Sequence, residues 1–334
     1  MTLNKLFTLP DTELKSALWF DLQSRGYNPD NMYHTNDFLY AEGDAPYMLV
    51  AHLDTVHKEL PSVICYSRDG NYIMSPQGIG GDDRCGVYII LSLLNRLSFK
   101  PYILFTMGEE KGCIGAKAFI KFMSDDPYSI PDLKFIVEYD RKGDKDCVFY
   151  RCGNKDFEKF VEGFGFKTAL GSCSDICHIA PEFGCAAVNL SSGYYNPHTQ
   201  HEYVCMADMH NTIDASFKML TAECGTFKWI EKPMPTYQNT HKRTSNIYRQ
   251  VRVTMLPPNV VKVKSTYSSV MYNNISNEVA IDANGNYYKY IYTYRDWEPT
   301  DCVEPIGDFV PKYNAKESRM ISVYSYSIQQ NNQK

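Results

Sequence analysis

The spacing of apolar residues divides the chain into two regions with different predicted architectures. Up to about residue 232, short apolar runs alternate with segments of helical period. The runs are YMLVAH (47–52), YILFTM (102–107), LKFIVEY (133–139) and CAAVNL (185–190). Short apolar runs are typical of buried strands, and apolar residues repeated every three to four positions are typical of helices. The alternation predicts an α/β fold with a mixed, mostly parallel sheet flanked by helices.

Helices are predicted between these strands over residues 11–25, 83–97, 115–123, 156–166 and 207–230. Before the second helix, the segments SVICYS (62–67) and NYIMS (71–75) flank an Arg-Asp-Gly sequence and predict a hairpin.

Beyond residue 232 the pattern changes to that of a β-rich region. Residues 232–236 (KPMPT) have the composition of a linker. Alternating strand patterns follow in IYRQVRVTML (247–256), VVKVKSTY (260–267), NYYKYIYTY (286–294) and MISVYSYSI (320–328). We therefore expect one domain at 1–232 and a β-rich C-terminal module of unknown role at 240–334.

Composition excludes several classes of protein. With 334 residues, a net charge of -5 and a pI near 5.9, the chain lacks the basic character of a nucleic-acid binder. The sequence contains neither an apolar run long enough to span a bilayer nor an N-terminal signal peptide, so we expect a cytoplasmic protein.

The 11 cysteines are scattered along the chain, and we interpret most of them as small apolar residues in a reducing compartment. The pair Cys173 and Cys177 lacks a second pair that would complete a four-sulfur zinc site.

Acidic and imidazole residues follow the predicted strands. They are His52 and Asp54, Glu109 and Glu110, Asp140, and, after a longer loop, His198. Asp82 lies in the glycine-rich segment GIGGDDRCG (78–86) before a helix. Because ligands of open α/β sheets bind outside the carboxyl ends of the strands, these side chains should converge.

So many converging carboxylates require a compensating cation. Like charges in a cleft raise each other's pKa values, and a mixed set of histidine and carboxylate ligands suits Zn²⁺, with Co²⁺ or Mn²⁺ as alternatives. One zinc would leave half of the set unused, whereas two ions about 3.5–4 Å apart, bridged by a carboxylate, would use all of it. Asp82 at its glycine turn is the natural bridge, and Asp83 is expected to cap the following helix.

The ordered motifs resemble the co-catalytic di-zinc exopeptidase superfamily, which includes bacterial leucyl aminopeptidase and peptidase T. The motifs are HxD (52–54), GGDD (80–83), EE (109–110), Asp140, SD (174–175) and YNPHTxxE (195–202). The resemblance covers residues from about 45 to 225, and it implies that 1–232 is a catalytic domain. Since the stretch 141–197 is too short for the lid insertion of peptidase T, the compact aminopeptidase branch is more similar.

The resemblance also implies a role for each matched residue. Asp82 would bridge two zinc ions, with His52 and Asp140 completing one site and Glu110 and His198 the other. Glu109 would be the general base for a water bridged by both metals, and Asp54 would orient the His52 ring. Ser174 and Asp175 would line the substrate pocket, and the Asp82-Asp83 peptide bond would be cis.

Some alternatives stay open at this point. Glu138 lies two residues before Asp140 on the same strand face and is a competing ligand. His57, His178, His201 and His210 are interpreted as surface or core histidines. The predicted activity is that of an aminopeptidase acting on peptides or small amides. Alternatives are a carboxypeptidase, an N-acyl amino acid deacylase, or a non-catalytic binding protein. The sequence does not indicate the side-chain preference or the oligomeric state.

Overall fold

The computed structural model describes residues 1–125 and 131–232 in full and, beyond them, the backbone of four strands within 260–299. The chain divides into two compact units, Met1–Pro233 and Met234–Lys334. In the first unit the helices are α1 Leu3–Thr8, α2 Asp11–Ser24, α3 Gly81–Leu94, α4 Ile114–Asp125, α5 Lys155–Glu162, α6 Ile176–Glu182 and α7 Met206–Thr221. The strands are β1 Met32–His34, β2 Phe38–Ala41, β3 Ala45–His52, β4 Cys65–Tyr66, β5 Tyr72–Met74, β6 Pro101–Thr106, β7 Phe135–Arg141, β8 Asp146–Val148, β9 Lys167–Thr168, β10 Ala187–Ser191, β11 Tyr194–Tyr195 and β12 Tyr203–Cys205.

The main sheet has eight strands in the order β1-β2-β6-β3-β7-β10-β8-β9. Its four central strands, β6, β3, β7 and β10, run parallel to one another. Antiparallel pairs join β1 to β2, β2 to β6 and β8 to β10. The prediction of a mixed, mostly parallel sheet flanked by helices is confirmed.

Helices cover both faces of this sheet because alternate side chains of each strand point in opposite directions. On β3, Leu49 and Ala51 join a buried apolar cluster with side chains from α1, α2, α3, α5 and α7. Met48 and Val50 join a second cluster with side chains from α4 and α6. Three layers result, and the carboxyl edge of the central strands is left free for a site.

A small second sheet with the order β11-β12-β5-β4 contains the predicted hairpin. β4 and β5 pair antiparallel, and β12 pairs antiparallel with β5 through Tyr203 and Met74. This pairing places the segment that follows His198 beside the segment that precedes the glycine turn.

Two helices differ from the prediction. α1 was not predicted, and α7 ends at Thr221 although helical spacing continues to residue 230. After α7 the backbone is extended: Phe227 donates to the carbonyl of Lys134 at 2.9 Å and accepts from the amide of Ala186 at 2.8 Å. Phe227 therefore packs against the core from an extended segment, and its helical spacing is coincidental.

In the second unit, four antiparallel strands form a sheet in chain order: β13 Val260–Val270, β14 Asn273–Asp282, β15 Tyr287–Ile291 and β16 Asp296–Pro299. β13 and β15 coincide with two of the predicted strand patterns. The predicted strands at 247–256 and 320–328 lie outside the described residues, and so does most of the linker. Among the described helices, none has the length and apolar character to cross a membrane.

Candidate metal and catalytic site

Three neighbouring parallel strands bring the predicted site residues to one edge of the sheet. His52 is the last residue of β3, Asp140 is the next to last of β7, and Glu109 and Glu110 follow β6. Because β6, β3 and β7 are adjacent, their carboxyl ends open into one cleft. The glycine turn before α3 places Asp82 in the same cleft.

Asp82 lies between two imidazole rings. Its Oδ1 is 3.2 Å from Nε2 of His52, and its Oδ2 is 3.2 Å from Nε2 of His198. Asp140 Oδ1 is 3.5 Å from the His52 nitrogen, and Glu110 Oε1 is 2.8 Å from the His198 nitrogen. Within each group of three, the ligand atoms all lie within 4.8 Å of one another. We call these five residues the carboxylate–imidazole cluster.

The ligand atoms of this cluster fit a divalent cation. Glu110 Oε1 is buried and accepts no hydrogen bond from the described residues, although Nε2 of His198 is close. The guanidinium of Arg84 does not offset the acidic charge, since it donates to the carbonyls of Leu6 and Leu9 and to Asp11. Imidazole nitrogens and carboxylate oxygens that face one another in this way are ligands that Zn²⁺ favours.

The pKa values within the cluster are strongly shifted. The neighbouring carboxylates of Asp82 and Glu110 raise the pKa of His198 to about 10. Burial, together with the charge of Asp82, raises the pKa of Asp140 to about 7. Burial disfavours a charged His52, but Asp140 and its neighbours raise the His52 pKa well above its usual value. These shifts have one cause, the crowding of carboxylates around two imidazoles, and a divalent cation would supply the positive charge that this arrangement favours.

Glu109 lies beside the cluster on a loop that Asp54 holds in place. Asp54 Oδ1 accepts hydrogen bonds from the backbone amides of Gly108 at 2.7 Å and Glu109 at 3.1 Å. The same oxygen is 3.5 Å from Nδ1 of His52, and the carbonyl of Asp54 is 3.0 Å from that nitrogen. Burial, together with the charge of Asp140, raises the pKa of Glu109 to about 8.

The two aspartates of the glycine turn have different surroundings. The peptide bond between Asp82 and Asp83 is cis, as the resemblance implies. Asp83 is buried at the start of α3, where its Oδ1 accepts from the amide of Gly86 at 3.0 Å, as expected of a helix cap. A Cβ at Gly86 would lie 2.3 Å from the carbonyl oxygen of Tyr139, so only glycine fits. Asp82 alone faces the cleft.

Glu202 has a structural part in the site that the sequence reasoning missed. Its buried carboxylate accepts hydrogen bonds from the amides of Gly80 and Asp82, both at 3.0 Å. The same carboxylate lies 2.7 Å from Nε2 of His57, so His57 is a structural partner of Glu202. Glu202 therefore holds the turn that carries Asp82. The signal was its position at the end of YNPHTxxE, where it was matched but given no role.

Asp140 and Glu138 lie on the same strand but have different partners. Asp140 faces His52 and accepts from the Tyr194 hydroxyl at 3.2 Å, whereas Glu138 is buried and accepts from the Ser174 hydroxyl. Asp175 is also buried and accepts from the Thr106 hydroxyl. The structure thus places Ser174 and Asp175 beside the cluster as buried hydrogen-bonding residues, and their part in a substrate pocket stays a prediction.

A second cluster, which the sequence did not indicate, contains His178. Its ring and the sulfurs of Cys113 and Cys173 offer ligand atoms that all lie within 4.8 Å of one another. We call these three residues the thiol cluster. Hydrogen bonds from Cys113, Cys177 and His178 lower the pKa of the Cys173 thiol. Most described cysteines are buried, as small apolar residues would be, but Cys173 is exposed. His201 and His210 are exposed.

Part of the chain matches a known peptidase family, and its fold is similar to solved peptidase structures. Residues 39–163 match the sequence model of peptidase family M28. Among curated proteins, no sequence matches the chain. Aminopeptidase PepT from Bacillus cereus is similar in structure, with a TM-score of 0.51 and 14% identity over 65% of this chain and 95% of that one.

Two further solved structures share the fold to the same extent. A tripeptidase from Staphylococcus aureus has a TM-score of 0.51 and 14% identity over 65% of this chain and 96% of that one. An aminopeptidase from the archaeon Desulfurococcus kamchatkensis has a TM-score of 0.51 and 16% identity over 67% of this chain and 94% of that one. At these identities, the likeness concerns the fold.

The matched peptidase model, the shared fold and the ordered ligand residues define a metallo-exopeptidase, a hydrolase that acts on peptide or amide bonds. Over residues 39–163 the chain is similar to peptidase family M28, and its first unit shares the fold of the zinc exopeptidases.

Proposed function

We propose that the protein is an aminopeptidase that uses two zinc ions. The observation that carries this proposal is the position of Asp82, whose two oxygens each lie 3.2 Å from a different imidazole. His52 and Asp140 would complete one metal site, and Glu110 and His198 the other. When bound, the ions supply Lewis acidity, which polarises the scissile carbonyl and makes water a better nucleophile at neutral pH.

Glu109 is suited to move the proton. It belongs to neither of the two groups that share Asp82, although its carboxylate lies within 4.8 Å of ligand atoms of His52 and Glu110. With those groups holding the ions, the Glu109 carboxylate would accept a proton from the attacking water. The same carboxyl then donates this proton to the leaving amine. Asp54 positions Glu109 through two backbone hydrogen bonds, and it keeps the His52 ring oriented.

The surplus of carboxylates favours an amino-terminal substrate. Besides the proposed ligands, Glu109 and Asp175 lie at or near this edge, and a cationic amino terminus would meet a complementary field there. A carboxylate terminus would instead need a nearby cation, and the Arg84 guanidinium is held by α1, its following loop and α2. Two of the similar structures are also described as aminopeptidases.

A substrate panel combined with one variant tests this proposal. The protein as purified with zinc should hydrolyse dipeptides with a free amino terminus and leave the N-acetylated forms intact. Glu109→Ala should lower kcat about 10²–10⁴-fold, as expected for loss of a general acid/base, while elemental analysis finds the same zinc content as in the unmodified protein. The exposed Glu223→Ala is the matched control.

Three results would contradict the proposal. Preferential hydrolysis of the N-acetylated dipeptides would indicate a deacylase or a carboxypeptidase. Unchanged hydrolysis by Glu109→Ala would show that Glu109 is not the general base. Full activity with a single zinc ion bound at the carboxylate–imidazole cluster would show that the second metal is not required.

A further inference from the structure

The thiol cluster joins two segments of the chain. Cys113 ends the loop between β6 and α4, the same loop that carries Glu109 and Glu110. Cys173 and His178 flank the start of α6. Their two sulfurs and one imidazole nitrogen lie within 4.8 Å of one another, although Cys113 is distant in sequence from the other two. Tertiary structure alone creates this group.

The cluster has one anchored ligand and one accessible ligand. Cys113 is buried, with its amide bonded to the Glu109 carbonyl at 2.9 Å and its sulfur 3.7 Å from Glu109 Oε1. Cys173 is exposed, and His178 is half-buried. An ion from solvent could therefore reach the group without opening the fold.

The donor set decides which ligand fits. Two thiolates and a neutral imidazole together balance a divalent charge, and they form three of the four ligands of a tetrahedral zinc site. Cys177 directly precedes His178 in α6, and its sulfur, which accepts from the Ser174 amide at 3.3 Å, offers a fourth donor. A disulfide would use two sulfurs and leave His178 without a function, whereas a metal ion uses every member.

We propose that Cys113, Cys173 and His178 bind a thiophilic divalent ion such as Zn²⁺, at a site separate from the carboxylate–imidazole cluster. Binding exchanges two thiol protons for the ion. The ion connects the loop that carries Glu109 to the segment before α6, so it stabilises one wall of the cleft.

Cobalt absorption tests this site on the full chain. The protein is treated with a chelator and a thiol reductant, freed of both, and titrated with Co²⁺. A thiolate-to-cobalt charge-transfer band should develop in the near ultraviolet and reach the final intensity of one thiolate-bound ion per chain. The carboxylate–imidazole cluster contains no sulfur, so it cannot produce this band.

Variants then assign the band to its ligands. Cys173→Ser should abolish most of the band, and His178→Ala should weaken Co²⁺ binding at the same site. The matched control is Cys65→Ser, which removes another exposed cysteine and should leave the band unchanged. Asp140→Asn should also leave it unchanged, so failure of the proposed peptidase site and failure of the thiol site are distinguishable.

Two outcomes would overturn the inference. The first is absence of the band in the reduced wild-type protein, including the case in which Cys113 and Cys173 react only as a redox pair. The second is a band that persists at full strength in Cys173→Ser. Since Cys173 is exposed, its replacement by serine should not prevent folding, and His178→Ala provides an independent variant.

Discussion

The carboxylate–imidazole cluster and the thiol cluster share one loop but differ in their ligands and in their origin. The loop between β6 and α4 supplies Glu110 to the first cluster and Cys113 to the second. The first cluster combines imidazoles with carboxylates and is built largely on the ends of parallel strands. The second combines an imidazole with thiols and depends on the packing of the β6–α4 loop beside the start of α6. Strand order dictates the first arrangement, whereas contacts between a loop and a helix produce the second.

The largest expected effect separates Asp140 from Glu138. Asp140→Asn removes a proposed metal ligand and should lower kcat/KM by more than about 100-fold. Loss of a residue that only hydrogen-bonds to a metal ligand costs about 10–100-fold, so a larger fall is expected for a ligand itself. Zinc content should fall as well. Glu138→Gln is the matched control, because burial raises the pKa of Glu138 well above its usual value, and a neutral amide resembles the protonated acid. If Glu138→Gln loses zinc and Asp140→Asn retains it, the ligand assignment on β7 is wrong.

Replacement of Asp54 tests whether its hydrogen bonds to backbone amides position the loop that carries Glu109. Asp54→Asn keeps the shape of the side chain but removes the charge beside His52. Outer partners of this kind contribute about 10–100-fold to metal affinity or activity, and we expect a fall in kcat/KM within that range. Zinc affinity and steady-state kinetics should be measured together, with the exposed Asp30→Asn as control. A change below about twofold would mean that Glu109 is positioned without Asp54.

Glu202 tests the turn that carries Asp82. In Glu202→Gln, an amide group replaces a carboxylate that accepts from the Gly80 and Asp82 amides and faces His57. At least one of these buried partners would lose its acceptor, at a cost of about 1–3 kcal/mol in the free energy of unfolding. Denaturant unfolding of the metal-free protein measures this loss, with the exposed Glu223→Gln as control. Equal free energies of unfolding for Glu202→Gln and the unmodified protein would show that the glycine turn is stable without the Glu202 carboxylate.

The parts of the molecule that could be predicted are those that depend on strand and helix periodicity. His52 and Asp140 were correctly expected to meet, because residues at the carboxyl ends of adjacent parallel strands must lie close together. Asp83 was correctly expected to cap α3, because a helix start follows the glycine turn.

The features that were missed depend on contacts between distant segments. Glu202 acts through backbone amides of a turn far away in the chain, and periodicity carries no information about such a bond. Cys113 and His178 meet only because α4 and α6 pack on the same face of the sheet. The end of α7 was wrong because Phe227 has helical spacing yet pairs as an extended segment beside Lys134.

The smallest expected effect concerns the neighbouring histidines of the YNPHTQHEY segment. His198 lies in the carboxylate–imidazole cluster, whereas the His201 side chain is exposed, and only its backbone bonds to neighbouring residues. His201→Ala should change kcat/KM by less than about twofold, the range of an ordinary surface substitution. His198→Ala should lose metal from one of the two proposed sites, because Glu110 and Asp82 would then share an ion without an imidazole. Similar losses of metal and of kcat/KM in both variants would mean that the imidazole of His198 is not a metal ligand and that the loop conformation matters instead.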